Sequence, residues 1–297
     1  MLKLTAITDS HITASAQPIR DGGMAAALSD ATTWGADAFI HTGDIGDNNI
    51  AGVRRGFTML RGAALPMPLI YVIGNHDENE LNEGGMYGPG NPNTPLIIAS
   101  DCFSRSAPMQ YTTTIKAADG DLTARVIGLD CNYYNVSAAD PTVVNSAHVA
   151  GDRVGHSGDT EPPGGSYRQF KQAQRDFAQA TLAADMTSHM ILLLIHYPPV
   201  GPGPTDYKLL ADILQADGRP VAWLVGHEHS HAKTYTLTTT DGARVYTAYK
   251  VPACQESGAY ARVRVHLFQG RVVYEELTVK NFQQPGGWVI NPPFVLG

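Results

Sequence analysis

Along the first third of the chain, short apolar runs alternate with amphipathic stretches. Leu2–Thr8, Ala36–His41 and Pro68–Ile73 are apolar, partly β-branched and bounded by polar breakers, which predicts buried parallel strands. The spacing between them predicts helices from about Gly23 to Trp34 and around Ala51–Leu60. From Glu78 to Ala107 periodicity stops, and Gly84-Gly85 and Gly88-Pro89-Gly90-Asn91-Pro92-Asn93 mark a long loop, a feature usually functional or disordered. Met109–Lys116 and Leu122–Leu129 alternate about an Asp119-Gly120 hairpin turn. A second irregular stretch spans Asn132 to Gly165. Ser166 then suits the N-cap of an amphipathic helix reaching about Asp185.

Met190–Ile195 reads as a strand, Tyr207–Ala216 as a helix and Val221–Val225 as a strand. The remainder is β-rich: Lys233–Thr239, Arg244–Tyr249, Ala259–Phe268 and Arg271–Val279, with turns at Asp241-Gly242 and Gln269-Gly270. These elements predict an α/β fold. The expected arrangement is a four-layer αββα sandwich, two mixed sheets flanked by helices, with a β-rich C-terminal part. A single domain over residues 1–297 is expected, with long loops at 78–107 and 132–165.

Composition changes this picture little. A chain of 297 residues can bury a full core. The net charge of −7, with no basic tract, argues against nucleic acid as the main partner. Strand 1 starts at Leu2, which leaves no room for a signal peptide, and no apolar run nears the ~20 residues that span a bilayer. A cytoplasmic location without a membrane partner is therefore expected. Cys102, Cys131 and Cys254 are sparse and odd in number, as suits reduced thiols.

The chemistry lies where the strands end. Asp9-Ser10-His11, Gly43-Asp44-Ile45-Gly46-Asp47, Gly74-Asn75-His76-Asp77, His196 and Gly226-His227-Glu228-His229 each follow an apolar run. Open α/β sheets gather their chemistry at the carboxyl ends of strands. Asp, Asn and His together suit divalent metals, which predicts a two-metal hydrolytic site.

In order and spacing these motifs resemble the calcineurin-like metallophosphoesterase superfamily, whose pattern DxH…GDxx(D)…GNH(D/E)…H…GHxH is complete from Asp9 to His229. The resemblance implies that Asp9, His11, Asp44 and His229 bind one metal, and that Asp44, Asn75, His196 and His227 bind the other. Asp44 then bridges two divalent ions (Mn, Fe or Zn) ~3.5–4 Å apart, and a bridging hydroxide attacks phosphorus. It also implies that His76 donates a proton to the leaving oxygen. Asp77, next in sequence, is expected to orient or charge that imidazole. Asp47 is a candidate to hold a ligand from behind. Asn75, His76 and Tyr197 are the expected substrate contacts. His41 is a weaker candidate, and His231, His148 and His156 fit solvation better. His189 and His266 read as structural.

Absences narrow the subfamily. Purple acid phosphatases place a Tyr where Asp47 stands, and protein Ser/Thr phosphatases an Arg-Gly where Asn48-Asn49 stand, a place that Arg54, Arg105, Arg153 or Arg168 is left to fill. The motifs are most similar to bacterial class III cyclic nucleotide and glycerophosphodiester phosphodiesterases, including a His196-Tyr197-Pro198-Pro199 segment. The expected substrate is thus a small soluble phosphodiester. A phosphomonoesterase (nucleotidase or sugar phosphatase) is the first alternative and a non-catalytic protein-binding scaffold the second. A homo-oligomer is left open.

Overall fold

The computed structural model describes residues 1–47, 50–74, 76–77, 110–129, 133–134, 168–169, 172–199, 205–229, 233–279, 288–290 and 294–296. Two mixed sheets form the frame. In the first, β1 (Leu2–Ile7), β2 (Ala38–His41) and β3 (Leu69–Tyr71) run parallel. β12 (Tyr260–Phe268) joins β1 antiparallel and is followed outward by β13 (Arg271–Val279). β14 (Trp288–Ile290) and β15 (Phe294–Leu296) both pair with β13.

In the second sheet, β5 (Thr123–Leu129), β8 (Met190–Ile195), β9 (Val221–Val225) and β11 (Val245–Lys250) are successive parallel neighbours. The antiparallel strands β4 (Gln110–Lys116) and β10 (Lys233–Thr238) close its edges. β6 (Tyr133–Tyr134) and β7 (Arg168–Gln169) form a separate short ladder.

Alternation along the central strands explains the layers. Met190, Leu192 and Leu194 of β8 join a core shared with the first sheet, while Ile191, Leu193 and Ile195 face a second core. Strand residues point alternately to opposite faces, so a wholly apolar strand must be covered on both. The outer cover is α3 (Gln172–Ala184) and α4 (Thr205–Asp217), which contribute Ala178, Leu182, Leu210 and Leu214 to the second core. Beside the first sheet lie α1 (Pro18–Trp34) and α2 (Ile50–Gly62), through Met24, Ala27, Val53 and Phe57. Each such Leu, Val, Met or Phe side chain stabilises the fold by roughly 1.5–3 kcal/mol when fully buried.

The expected α/β class with two mixed sheets and flanking helices is what the structure has. The details differ. α1 starts at Pro18 rather than near Gly23, because proline suits the first turn and Asp21 accepts the N–H of Gln17. It stops at Gly35, whose φ of 67° allows its N–H to reach back to Ala31 and Thr32. β14 and β15 were not expected; at three residues each, they are too short to show a period. The loops 78–107 and 132–165 lie outside the described residues apart from Tyr133–Tyr134, as do Ser166, Cys102, Cys131, His148, His156 and His231. Cys254 is a buried free thiol. No described helix is long and apolar enough to cross a membrane.

Candidate metal centre

β1, β2, β3, β8 and β9 lead into the five motifs at one edge of the paired sheets. The loops after β1 and β2 are zipped together: Asp9 N–H donates to Gly43 O (3.0 Å), His11 N–H to Asp44 O (3.0 Å) and Ile12 N–H to Ile45 O (2.9 Å). Asp9, His11, Asp44 and His227 all have positive φ, at 48°, 44°, 54° and 70°. Such backbone is uncommon outside glycine and gathers at functional sites. Two glycines are required by close approach. A Cβ on Gly74 would run into the Asp44 carboxylate, and one on Gly43, itself at φ 105°, into the His196 ring.

Two groups of possible ligand atoms meet at Asp44: Asp9, His11, Asp44 and His229, and Asp44, His196 and His227, the atoms of each group lying within 4.8 Å of one another. Asp44 Oδ1 accepts the backbone N–H of His76 at 2.9 Å. Its other oxygen, Oδ2, stands 3.6 Å from His11 Nε2 and 3.3 Å from His196 Nε2. Asp9 Oδ1 lies 3.9 Å from His11 Nε2 and 3.6 Å from His229 Nε2. The Nε2 atoms of His11 and His229 are only 3.0 Å apart. Behind the ring, His196 Nδ1–H donates to Thr42 O at 2.8 Å, which turns the Nε2 lone pair toward Asp44.

The donor set fits cations. Asp9 and Asp44 are fully buried, yet Asp9 Oδ1 and Oδ2, Asp44 Oδ2 and His196 Nε2 have no hydrogen-bond partner among the described residues. Leaving buried charged acceptors unmatched is costly, and a metal ion satisfies them. Electrostatics describe the same strain. Burial and the neighbouring Asp44 push the Asp9 carboxyl up, against His196. Burial also acts to raise Asp44, but His196, His76 and His11 outweigh it and hold the carboxyl well below the usual range. Burial lowers His196, yet Asp44 and Asp9 carry it up to about 9. Burial and His11 bring His229 down to about 4.

His76 stands beside these groups, its ring 4.3 Å from that of His11, with its side chain 22 % exposed. Its carboxylate neighbour corrects the sequence reading. Asp77 was expected to orient or charge the imidazole; its two oxygens accept the backbone N–H groups of Gly46 (2.8 Å) and Gly74 (3.0 Å), so it does not orient the ring, while its charge still acts to raise His76. It is fully buried, and burial with the nearby Asp44 raises it to about 6, so it braces two motif loops. The carboxylate beside the ring is Asp47: Oδ1 lies 3.4 Å from His76 Nδ1 and 3.5 Å from His11 Nδ1, the first a charge contact without hydrogen-bond geometry. Burial lowers His76, but Asp47 and Asp44 raise it further, giving a net upward shift.

Asn75 lies outside the described residues, between Gly74 and His76. Tyr197, an expected substrate contact, is buried with its ring 4.0 Å from His227, so the geometry gives it packing against a ligand candidate. His41 does not join the donor set. Its Nδ1 accepts Gly43 N–H at 3.2 Å, leaving Nε2–H to donate to Ser10 Oγ at 2.8 Å. Burial and His196 lower it to about 3, a neutral prop beneath the loops. His189 is structural, its Nδ1 accepting Thr123 N–H at 3.1 Å. Arg20, on the first turn of α1, went unnoticed in the sequence. It donates to His11 O at 2.7 Å and Asp47 Oδ2 at 2.8 Å, and no motif marks it.

The family model of calcineurin-like phosphoesterases matches residues 2–231. The chain belongs to that family. Calcineurin-like phosphoesterases use a dinuclear divalent metal centre, and the two groups meeting at Asp44 are the candidate ligands here. Three solved structures share the fold. A dimetal phosphatase from Danio rerio is 15% identical with a TM-score of 0.55, covering 94% of this chain and 98% of its own. GAP50, the anchor in the inner membrane complex of Plasmodium, is 12% identical with a TM-score of 0.54, over 99% and 88%. Purple acid phosphatase PPD1 from yellow lupin (Lupinus luteus) seeds is 13% identical with a TM-score of 0.58, over 99% of this chain and 53% of its own. No curated protein sequence matches the chain.

Proposed function

We propose that this phosphoesterase hydrolyses a small phosphodiester. Asp9, His11, Asp44 and His229 hold one divalent cation; Asp44, Asn75, His196 and His227 hold the second. His76 gives its proton to the leaving oxygen. The observation that carries the reading is the open oxygen of Asp44, set between two imidazoles in a buried site with unmatched acceptors. Mn, Fe or Zn all suit these ligands. Bound there, the pair supplies Lewis acidity and an activated water.

The chain's own residues do the rest. His196 is kept in one tautomer by Thr42. Tyr197 backs the His227 ring. Asp47 aligns His76 and favours its protonated form, as leaving-group protonation requires. A diester is favoured over a monoester because, among the described residues, the two arginines approaching the first motif are already engaged; Arg105, Arg153 and the Arg168 side chain lie outside them. Arg20 is held by Asp47 and His11 O, and Arg55 by Asp21 and Thr13 O. A doubly charged monoester calls for a free guanidinium fork, which neither supplies. GAP50 carries the name of an anchor on a similar fold, so fold alone does not imply catalysis. The complete ligand set and His76 support catalysis here.

The test compares bis-(p-nitrophenyl) phosphate with p-nitrophenyl phosphate on Mn-loaded protein. Faster diester cleavage is the expected result, and on a phenyl diester, whose leaving oxygen needs a proton, His76→Ala should lose turnover with metal content intact. Faster monoester cleavage moves the protein to a phosphatase role, and no turnover with two metals bound favours the scaffold.

A further inference from the structure

We infer that Arg20 is a positioning residue for this centre, tying Asp47 to the His11 loop so that one carboxylate oxygen is left to align His11 and His76 together. The inference rests on the proposed role of His76 as the acid for the leaving group.

The start of α1 is anchored before Arg20 acts. Pro18 presets the first turn, and Asp21 accepts Gln17 N–H at 3.0 Å while pairing with both Nη atoms of Arg55. Arg55 also donates to Thr13 O at 3.2 Å, which secures the stretch between the first motif and the helix. From this base a single nitrogen of Arg20, Nη1, reaches two acceptors, His11 O at 2.7 Å and Asp47 Oδ2 at 2.8 Å. Asp47 Oδ1 then faces both Nδ1 atoms, at 3.5 Å for His11 and 3.4 Å for His76.

A carboxylate has two chemically equal oxygens, and the Asp47 side chain is 28 % exposed. Holding one oxygen by a charged donor is what makes the other a fixed reference for two rings. With the clamp removed, Oδ2 loses its charged donor and the carboxylate's orientation toward the two rings loosens. Both rings would feel it, but differently. His11 keeps its place through its Nε2 neighbours, Asp44 and His229. His76 has no such Nε2 neighbours among the described residues and has Asp47 Oδ1 beside its Nδ1.

A purely structural staple and a positioning residue differ in one respect. If Arg20 acts through Asp47 on His76, its loss matters most where the leaving oxygen needs a proton most. The experiment measures kcat and KM on aryl methyl phosphodiesters whose leaving group runs from p-nitrophenol to phenol. The proteins are wild type, Arg20→Met, Arg20→Lys, Asp47→Asn, the Arg20→Met/Asp47→Asn double variant and His76→Ala, all at saturating Mn2+ with metal content checked. For Arg20→Met we expect KM within about twofold, kcat down less than about threefold on the p-nitrophenyl ester, and down about tenfold or more on the phenyl ester. Arg20→Lys recovers part of that loss. In the double variant, Arg20→Met adds less than about twofold to Asp47→Asn, because both remove the same link.

A second reading needs no turnover. In the metal-free protein labelled with 15N-histidine, Arg20→Met and Asp47→Asn shift the His76 and His11 ring resonances alike, with His41 unmoved. Equal loss across leaving groups, or full additivity with Asp47→Asn, overturns the inference. A His76→Ala loss that ignores the leaving group overturns the acid role instead. The ring resonances then decide the clamp alone: moved, it stands; unmoved, it falls.

Discussion

Buried carboxylates occur at both ends of the parallel strands, and their surroundings are opposite. At the amino ends, Asp185 precedes β8 with a nearly inaccessible side chain. It accepts Arg125 Nε at 3.0 Å, Arg219 Nη1 at 2.8 Å, and the N–H groups of Thr187 and Ser188 at 3.1 and 3.3 Å. At the carboxyl ends, Asp9 and Asp44 are equally buried, but three of their four oxygens have no hydrogen-bond partner among the described residues. The first cluster is closed within the protein and holds α3, β5 and β9 together. The second is left open toward a shared point. The difference teaches that burial of charge says nothing about function until its acceptors are counted.

That contrast can be broken at several strengths. Asp44→Ala removes the ligand common to both cation groups and should have the largest effect. Diester turnover should fall about a thousandfold or more, and metal analysis should find fewer than two ions per chain. The wild-type protein should gain about 2.7 kcal/mol of stability at a hundredfold excess of Mn2+ over its Kd, and the variant should not. His76→Ala comes next, with kcat down roughly 10²–10⁴-fold while bound metal and the unfolding midpoint hold. A matching loss of metal would mean that His76 is itself a ligand.

At the closed end the expected effects are on stability alone. Asp185→Ala should cost about 3 kcal/mol in urea unfolding, because two guanidinium groups lose a buried partner, and turnover per folded molecule should stay the same. Back at the open end, Asp77→Ala is expected to cost about 2 kcal/mol, since the Gly46 and Gly74 N–H groups lose their acceptor in the interior. An Asp77→Ala variant that kept full stability but lost kcat mainly on the phenyl ester, where the leaving oxygen most needs a proton, would return the orienting role to Asp77.

The smallest effect is in pH. Arg125 holds Asp185 far below the ordinary carboxylate range, against the effect of burial. Its unfolded pKa is about 3.9. Below that value the unfolded chain binds a proton that the folded chain does not, so stability rises with pH through this window. The stability gap between wild type and Asp185→Asn should be flat from neutral pH to about pH 5, then shrink as pH falls below about 4. A gap that instead widened in acid would rule out the ionised pair.

Legibility varied with how local the cause was. The fully apolar runs of β8 and β9 were readable because both of their faces are covered. The metal-ligand candidates were readable because their residue types and the strand ends preceding them are both in the sequence. His41 was ambiguous, since only its hydrogen bonds to Ser10 and Gly43 distinguish a prop from a ligand. The same limit applied to Tyr197, whose position beside His227 depends on how two strand ends meet.

By itself, the sequence determined the candidate donor residues, their order and the strand that each follows, because ligand chemistry and hydrophobic period are properties of short segments. Only the tertiary structure decided which carboxylate serves His76. Asp77 is its covalent neighbour, yet the turn aims that side chain inward at Gly46 and Gly74, while Asp47 arrives from another loop with Arg20 behind it. Hydrogen-bond partners are chosen by which loops the sheet brings together, and adjacency along the chain does not fix that choice.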